Sequence, residues 1–153
     1  MTIQDWNLET FQNSESAPAR NVRADVINAA KTFTASTGNT TTTTLSAIAA
    51  FDVSGISRLG VELVVGTTAL NSLQVYGRHH ASGNYVSLGL ATDWSAGGYP
   101  VIDSDITTAL TSVAVGSHWA HFDVSALESI QFWASVASGT GGLDLYAGGL
   151  VNG

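Results

Sequence analysis

From Leu45 onward, apolar residues recur at every second position, and a period of two restricts what the chain can become more than any other feature of it. Val61, Leu63 and Val65 alternate with Gly60, Glu62 and Val64, and Leu73 and Val75 alternate with Ser72, Gln74 and Tyr76. Val86, Leu88 and Leu90 keep the same phase, as do Ile130, Phe132, Ala134 and Val136, then Leu143 and Leu145. In an extended strand this spacing gathers the apolar side chains on one face; on a helix it would scatter them around the cylinder. Ser82-Gly-Asn, Ala96-Gly-Gly and Gly139-Thr-Gly-Gly supply the turns between. Short strands punctuated by glycine turns predict an antiparallel sandwich or barrel, with no helical layer.

The length fits one such unit: 153 residues form one domain rather than two. With 44% hydrophobic and 11% charged residues, the chain lacks the signature of a disordered protein. It has no cysteine, which excludes disulfides, thiolate-bound zinc and a thiol nucleophile. A net charge of −7 disfavours nucleic acid and anionic membranes as partners. Residues 1–44 carry three basic and four acidic groups and residues 45–153 two and eight, so the body is the acidic part. The first ten residues place acids where a signal peptide needs bases, and no window reaches the roughly 20 apolar residues of a membrane helix. The expectation is a soluble protein, or part of a soluble assembly.

Residues 1–44 lack the alternation and are assigned to an N-terminal arm and linker, with the sandwich domain at 45–153. Ser14 to Ala19 is a polar stretch containing Pro18 and reads as a linker. Trp6, Leu8 and Phe11 precede it in a segment too short to bury them alone, so they are expected to dock on a partner. Arg20 and Arg23 are placed to bond carboxylates or backbone carbonyls of that partner through their planar donor forks. Residues 21–35 suit an irregular arm leading into a strand, with a helix over 22–31 as the alternative. The β-branched run Thr40 to Thr44 suits a loop leading into a strand.

One motif occurs twice. Phe51-Asp-Val-Ser-Gly-Ile and Phe122-Asp-Val-Ser-Ala-Leu lie 71 residues apart, and each leads into an alternating strand. Each copy is expected to form a strand end followed by a turn, with the Asp and Ser oxygens accepting backbone N–H bonds. Two copies do not make a solenoid, whose repeats are shorter and more numerous. They fit two packed sheets.

The chemistry-bearing residues are sparse. His79 and His80 point to opposite faces of a strand, as do His118 and His121, so a zinc site needs both pairs to converge with Asp93, Asp103 or Asp105. Asp103-Ser-Asp105 lacks the glycine and distal glutamate of a calcium loop. No nucleophile elbow, phosphate loop or zinc-protease motif is present, and Glu62 and Glu128 are the only glutamates past residue 15. The residues therefore predict no catalytic site, metal site or cofactor. Trp94, Tyr99, Trp119 and Trp133 are candidates for an exposed aromatic surface able to stack on sugar rings. Trp133 takes the face opposite Ile130 and Phe132, so it is either exposed or covered by an arm or a neighbour.

The order of these features is Asp-Val-Ser-Gly before an alternating strand, then the hairpin Tyr76-Gly-Arg-His-His-Ala-Ser-Gly-Asn-Tyr85, then Trp119-Ala-His-Phe-Asp-Val-Ser before a final strand pair. This layout resembles the jelly-roll β-sandwich decoration, or cement, proteins of tailed-phage capsids over about residues 45–150. The resemblance implies an all-β jelly-roll with an extended N-terminal arm, acting without catalysis. It implies a homotrimer on the virion, at the capsid surface, bridging subunits of the major capsid protein. Related sandwiches are carbohydrate-binding modules, which gives the alternative reading; a phage tail or head-completion subunit is a further one.

Overall fold

The computed structural model describes residues 30–32, 35–88, 94–98, 100–106 and 112–151. Among these residues, ten strands form two antiparallel sheets: β1 (Ala30–Thr32), β2 (Ser36–Thr41), β3 (Ser46–Asp52), β4 (Ile56–Val65), β5 (Leu70–Arg78), β6 (Val86–Ser87), β7 (Val101–Ser104), β8 (Gly116–Asp123), β9 (Ser129–Val136) and β10 (Gly141–Val151). One sheet runs β1-β10-β4-β8-β7, with β2 also on β10, and the other runs β3-β9-β5-β6. The chain passes from β2 across to β3, back to β4 and across again to β5, and β8, β9 and β10 alternate in the same way. With β1 and β7 set aside, this is the strand order of a jelly roll, two four-stranded sheets wound from Greek keys.

The alternation read from the sequence is the burial pattern of these strands. Leu59, Val61, Leu63 and Val65 of β4 meet Leu73 and Val75 of β5, Ile130, Phe132, Ala134 and Val136 of β9, and Leu143 and Leu145 of β10 in one core. Phe132 lies at its centre, edge-on to Phe51 at 6.2 Å and to Phe122 at 5.5 Å. Each such side chain removed from water contributes about 1.5–3 kcal/mol, offsetting the entropy lost in ordering the chain. Val86 is the exception: β6 ends after two residues at the sheet edge, leaving Val86 51% exposed while Leu88 turns inward.

The repeated motif forms two matching corners. Asp52 Oδ1 accepts the Ser54 amide at 3.0 Å and the Ser54 hydroxyl, and Asp123 Oδ1 accepts the Ser125 amide at 3.0 Å and its hydroxyl at 2.7 Å. The Ile56 amide donates to the Val53 carbonyl and the Leu127 amide to the Val124 carbonyl. The corners also clasp each other, since the Val53 amide donates to Glu128 and the Val124 amide donates to Ser57. A shift of 71 residues carries one bond onto the other with donor and acceptor halves exchanged. It also carries the β3–β9 pair onto the β8–β4 pair, and β5 then corresponds to β10. The sandwich thus has a local two-fold relation between three-strand units. Along β5 and β10 the register differs by one more residue, so that Leu73-Gln-Val-Tyr answers Leu145-Tyr-Ala-Gly.

Two strands fall within the segment assigned to the arm. β1 and β2 run in succession along the outer edge of β10, Ala30 opposite Leu150 and Thr41 opposite Gly141. The sheet therefore begins before residue 45. Stiff β-branched threonines supply the extended backbone, and Thr41 is fully buried. Between Ser36 and Asn39 a bulge inserts an extra residue, which Gly38 accommodates at φ 69° while its amide donates to Asp144 Oδ1 at 2.6 Å. Trp6, Leu8, Phe11, Arg20 and Arg23 lie outside the described residues.

Candidate binding faces

Side chains that alternate away from the core give each sheet an outer face, and the two faces differ. On the β3-β9-β5-β6 sheet, register places Gln74 opposite Trp133 and Tyr76 opposite Gln131. The Tyr76 and Trp133 rings lie 4.7 Å apart at 33°. The Trp133 indole N–H donates to Gln131 Oε1 at 2.8 Å, and the Tyr76 hydroxyl reaches Gln74 Oε1 at 3.4 Å. At the end of this face Arg78 Nε lies 2.8 Å from Glu128 Oε1, and its guanidinium sits 5.1 Å from the Tyr85 ring centre. The Tyr85 hydroxyl bonds the Ser129 hydroxyl at 2.6 Å, which in turn donates to the Phe51 carbonyl. Most polar tips on this face are satisfied by their own neighbours.

On the other sheet, Tyr146 of β10, Glu62 of β4 and Trp119 of β8 stand in one row by register. Trp119 and Tyr146 are each 42% exposed, and the Trp119 ring lies 5.2 Å from that of His121. The adjoining row is Gly148, Gly60 and His121, and the next is Leu150, Arg58 and Asp123. His121 Nδ1 lies 2.7 Å from Asp103 Oδ1, tying β8 to β7. The Trp119 amide donates to Asp105 Oδ1 at 2.7 Å. Bonds from the Ser125 hydroxyl and amide hold the Asp123 carboxyl below its ordinary value; Arg58 adds to the effect and slight burial opposes it. A shallow hollow of about 230 Å³ lies between β2, β4 and β10, bordered by Asn39, Val64 and Asp144.

The aromatic surface expected from the sequence does not assemble as one platform. Trp94 is a correction: it is wholly buried, edge-on to Phe122 at 5.4 Å, because it opens a 3₁₀ turn (Trp94–Ala96) that folds its ring under β7 and β8. Tyr99 lies outside the described residues. Trp133 is half-buried against Tyr76, and Trp119 is on the opposite face of the sandwich. Tyr146 escaped notice in the sequence, although its phase opposite Leu143 and Leu145 signals an outward ring.

The histidines are spread out. His79 Nδ1 lies 2.7 Å from the Ala126 carbonyl, His80 Nδ1 3.1 Å from the Ser82 hydroxyl, and His118 Nε2 3.0 Å from the Ala114 carbonyl. Among the described residues, no three His, Asp or Glu side chains come together as a metal-binding group. Asp93 lies outside them.

No protein-family model matches the chain, and neither does any curated protein. Among solved structures, the chain is similar to the PBSX exported protein XepA, with a TM-score of 0.52 and 22% identity. That match covers 80% of this chain and 39% of XepA, so the chain spans well under half of that protein. The SPBc2 prophage-derived protein YomS matches with a TM-score of 0.49 and 17% identity, over 80% of this chain and 97% of YomS. At these identities the likeness to XepA is one of fold.

Proposed function

We propose that the chain is a non-enzymatic virion structural protein of a tailed phage, a capsid decoration protein that bridges subunits of the major capsid protein. The observation that carries this reading is the jelly-roll sandwich, shared over 80% of the chain with the PBSX exported protein XepA. In this reading Trp6, Leu8 and Phe11 bury on the shell, Arg20 and Arg23 bond coat carboxylates or carbonyls, and a homotrimer repeats the contact around a local axis. Linked weak contacts then reinforce each other through effective concentration.

The test is cosedimentation of the purified chain with phage heads, with and without residues 1–29, a deletion that spares β1. Retention of the full chain, and loss of retention by a truncated chain whose circular dichroism still reports strand, is the expected result. Equal retention of both forms removes the arm from the mechanism. Retention by tails and not heads moves the protein to the tail or head-completion alternative. Sedimentation equilibrium of the free protein checks the trimer.

A further inference from the structure

The row Tyr146, Glu62 and Trp119 has a use that head binding does not require. Adjacent strands lie about 4.8 Å apart, so the two aromatic positions stand roughly 10 Å apart with a carboxylate between them. Among the described residues, no side-chain hydrogen bond or ion pair engages the Tyr146 hydroxyl, the Trp119 indole N–H, the Glu62 carboxylate or the Arg58 guanidinium. On the other sheet the outward tyrosine of β5, Tyr76, is by contrast stacked on Trp133 and bonded to Gln74. Beside the row, Gly60 and Gly148 present bare backbone: a Cβ on Gly148 would meet nothing within 4 Å, and one on Gly60 would come no nearer than 3.4 Å, to the His121 ring. Glycine inside a strand marks a place where a ligand can approach the main chain closely.

We propose that this face binds a neutral saccharide chain, with sugar rings resting their C–H faces on Trp119 and Tyr146. Glu62 accepts hydroxyl hydrogens between the two rings, and the indole N–H and phenol supply further polar contacts. Three features select this ligand class. Exposed rings separated by a carboxylate do not make the continuous apolar patch that a protein interface buries at its core. Among the described side chains of this face, Glu62, Asp103 and Asp123 outnumber Arg58 and repel polyanions. A ligand with apolar faces and hydroxyl edges matches both the rings and the carboxylate. The proposal goes beyond the virion reading and does not rest on it.

The test titrates the full chain with cello-, malto- and chito-oligosaccharides, and with heparin-derived oligosaccharides as the anionic comparison, by calorimetry and tryptophan fluorescence. Saturable binding of at least one neutral series is expected, weakened about tenfold by Trp119→Ala or Tyr146→Ala. Trp119→Phe, which keeps a stacking ring, is expected to retain most of the affinity and guards against a folding defect. Trp133→Ala is expected to leave affinity unchanged. Absence of saturation with every neutral series overturns the proposal. So does binding of the anionic series alone, or neutral binding indifferent to Trp119→Ala and Tyr146→Ala.

Discussion

Tyr76 and Tyr146 both point outward from corresponding strands of the duplicated three-strand unit, β5 and β10, although by register Tyr146 answers Gln74 and Tyr76 answers Gly148. Their neighbours differ. Across from Tyr76 lies Gln131, and Trp133, diagonal to it, covers the Tyr76 ring and donates to Gln131. Across from Tyr146 lies Glu62, then Trp119, all three exposed and with no side-chain hydrogen bond among the described residues. The same backbone unit therefore supports one face that consumes its polar groups internally and one that leaves them available. Geometry of the strands sets where aromatic rings stand; lateral neighbours decide whether they stabilise the fold or are left for a ligand.

That contrast can be broken most severely at the core beneath both faces. Phe132→Ala, which removes the ring between Phe51 and Phe122, is expected to cost about 3–5 kcal/mol and to unfold both faces together in a denaturant titration. A tryptophan signal that persists from one face would show that the sheets do not share a single core. Next in size, Trp133→Ala is expected to cost about 1–2 kcal/mol of stability, and Trp119→Ala within roughly 0.5 kcal/mol. Equal losses, measured as unfolding midpoints, would erase the distinction between a closed and an open face.

The two corners sharpen the comparison further. Gly55 holds φ 76°, while the corresponding residue in the second corner is Ala126. Gly55→Ala is expected to cost about 1 kcal/mol in thermal unfolding, because a Cβ is strained in that conformation even where space is open. Ala126→Gly is expected to cost less. The smallest effect is the pH dependence of Asp123. Its folded pKa is depressed, so its contribution is present above the ordinary carboxylate value and is lost as pH falls through the folded one. Asp123→Asn is expected to flatten that part of the acid limb of a stability-versus-pH curve.

The interior of this fold was legible in the sequence because alternation depends on parity alone. Val61, Leu63, Phe132 and Leu145 face inward as their phase requires, and the two Asp-Val-Ser corners follow from side chains bonding two residues ahead. Trp94 was not legible, since it lies in a 3₁₀ turn where strand parity has no meaning. The membership of β1 and β2 was hidden too: a run of threonines states that the backbone is extended but not which strand it joins. The row of Tyr146, Glu62 and Trp119 depends on the register of three strands far apart in sequence, which no local pattern encodes. The outward phase of each residue was visible; their adjacency was not.

β10 is last in the chain order of the strands, yet it lies between β4 and the β1–β2 edge and closes the sheet from within. During synthesis, β4 must wait for a neighbour that has not yet been made, with a strand edge open to any extended segment nearby. Maturation is consequently late and long-range, so a ribosome stall or a cut before residue 141 would yield a sticky intermediate instead of a smaller working protein. Quality control in the producing cell would meet this molecule at the moment that one strand slots home.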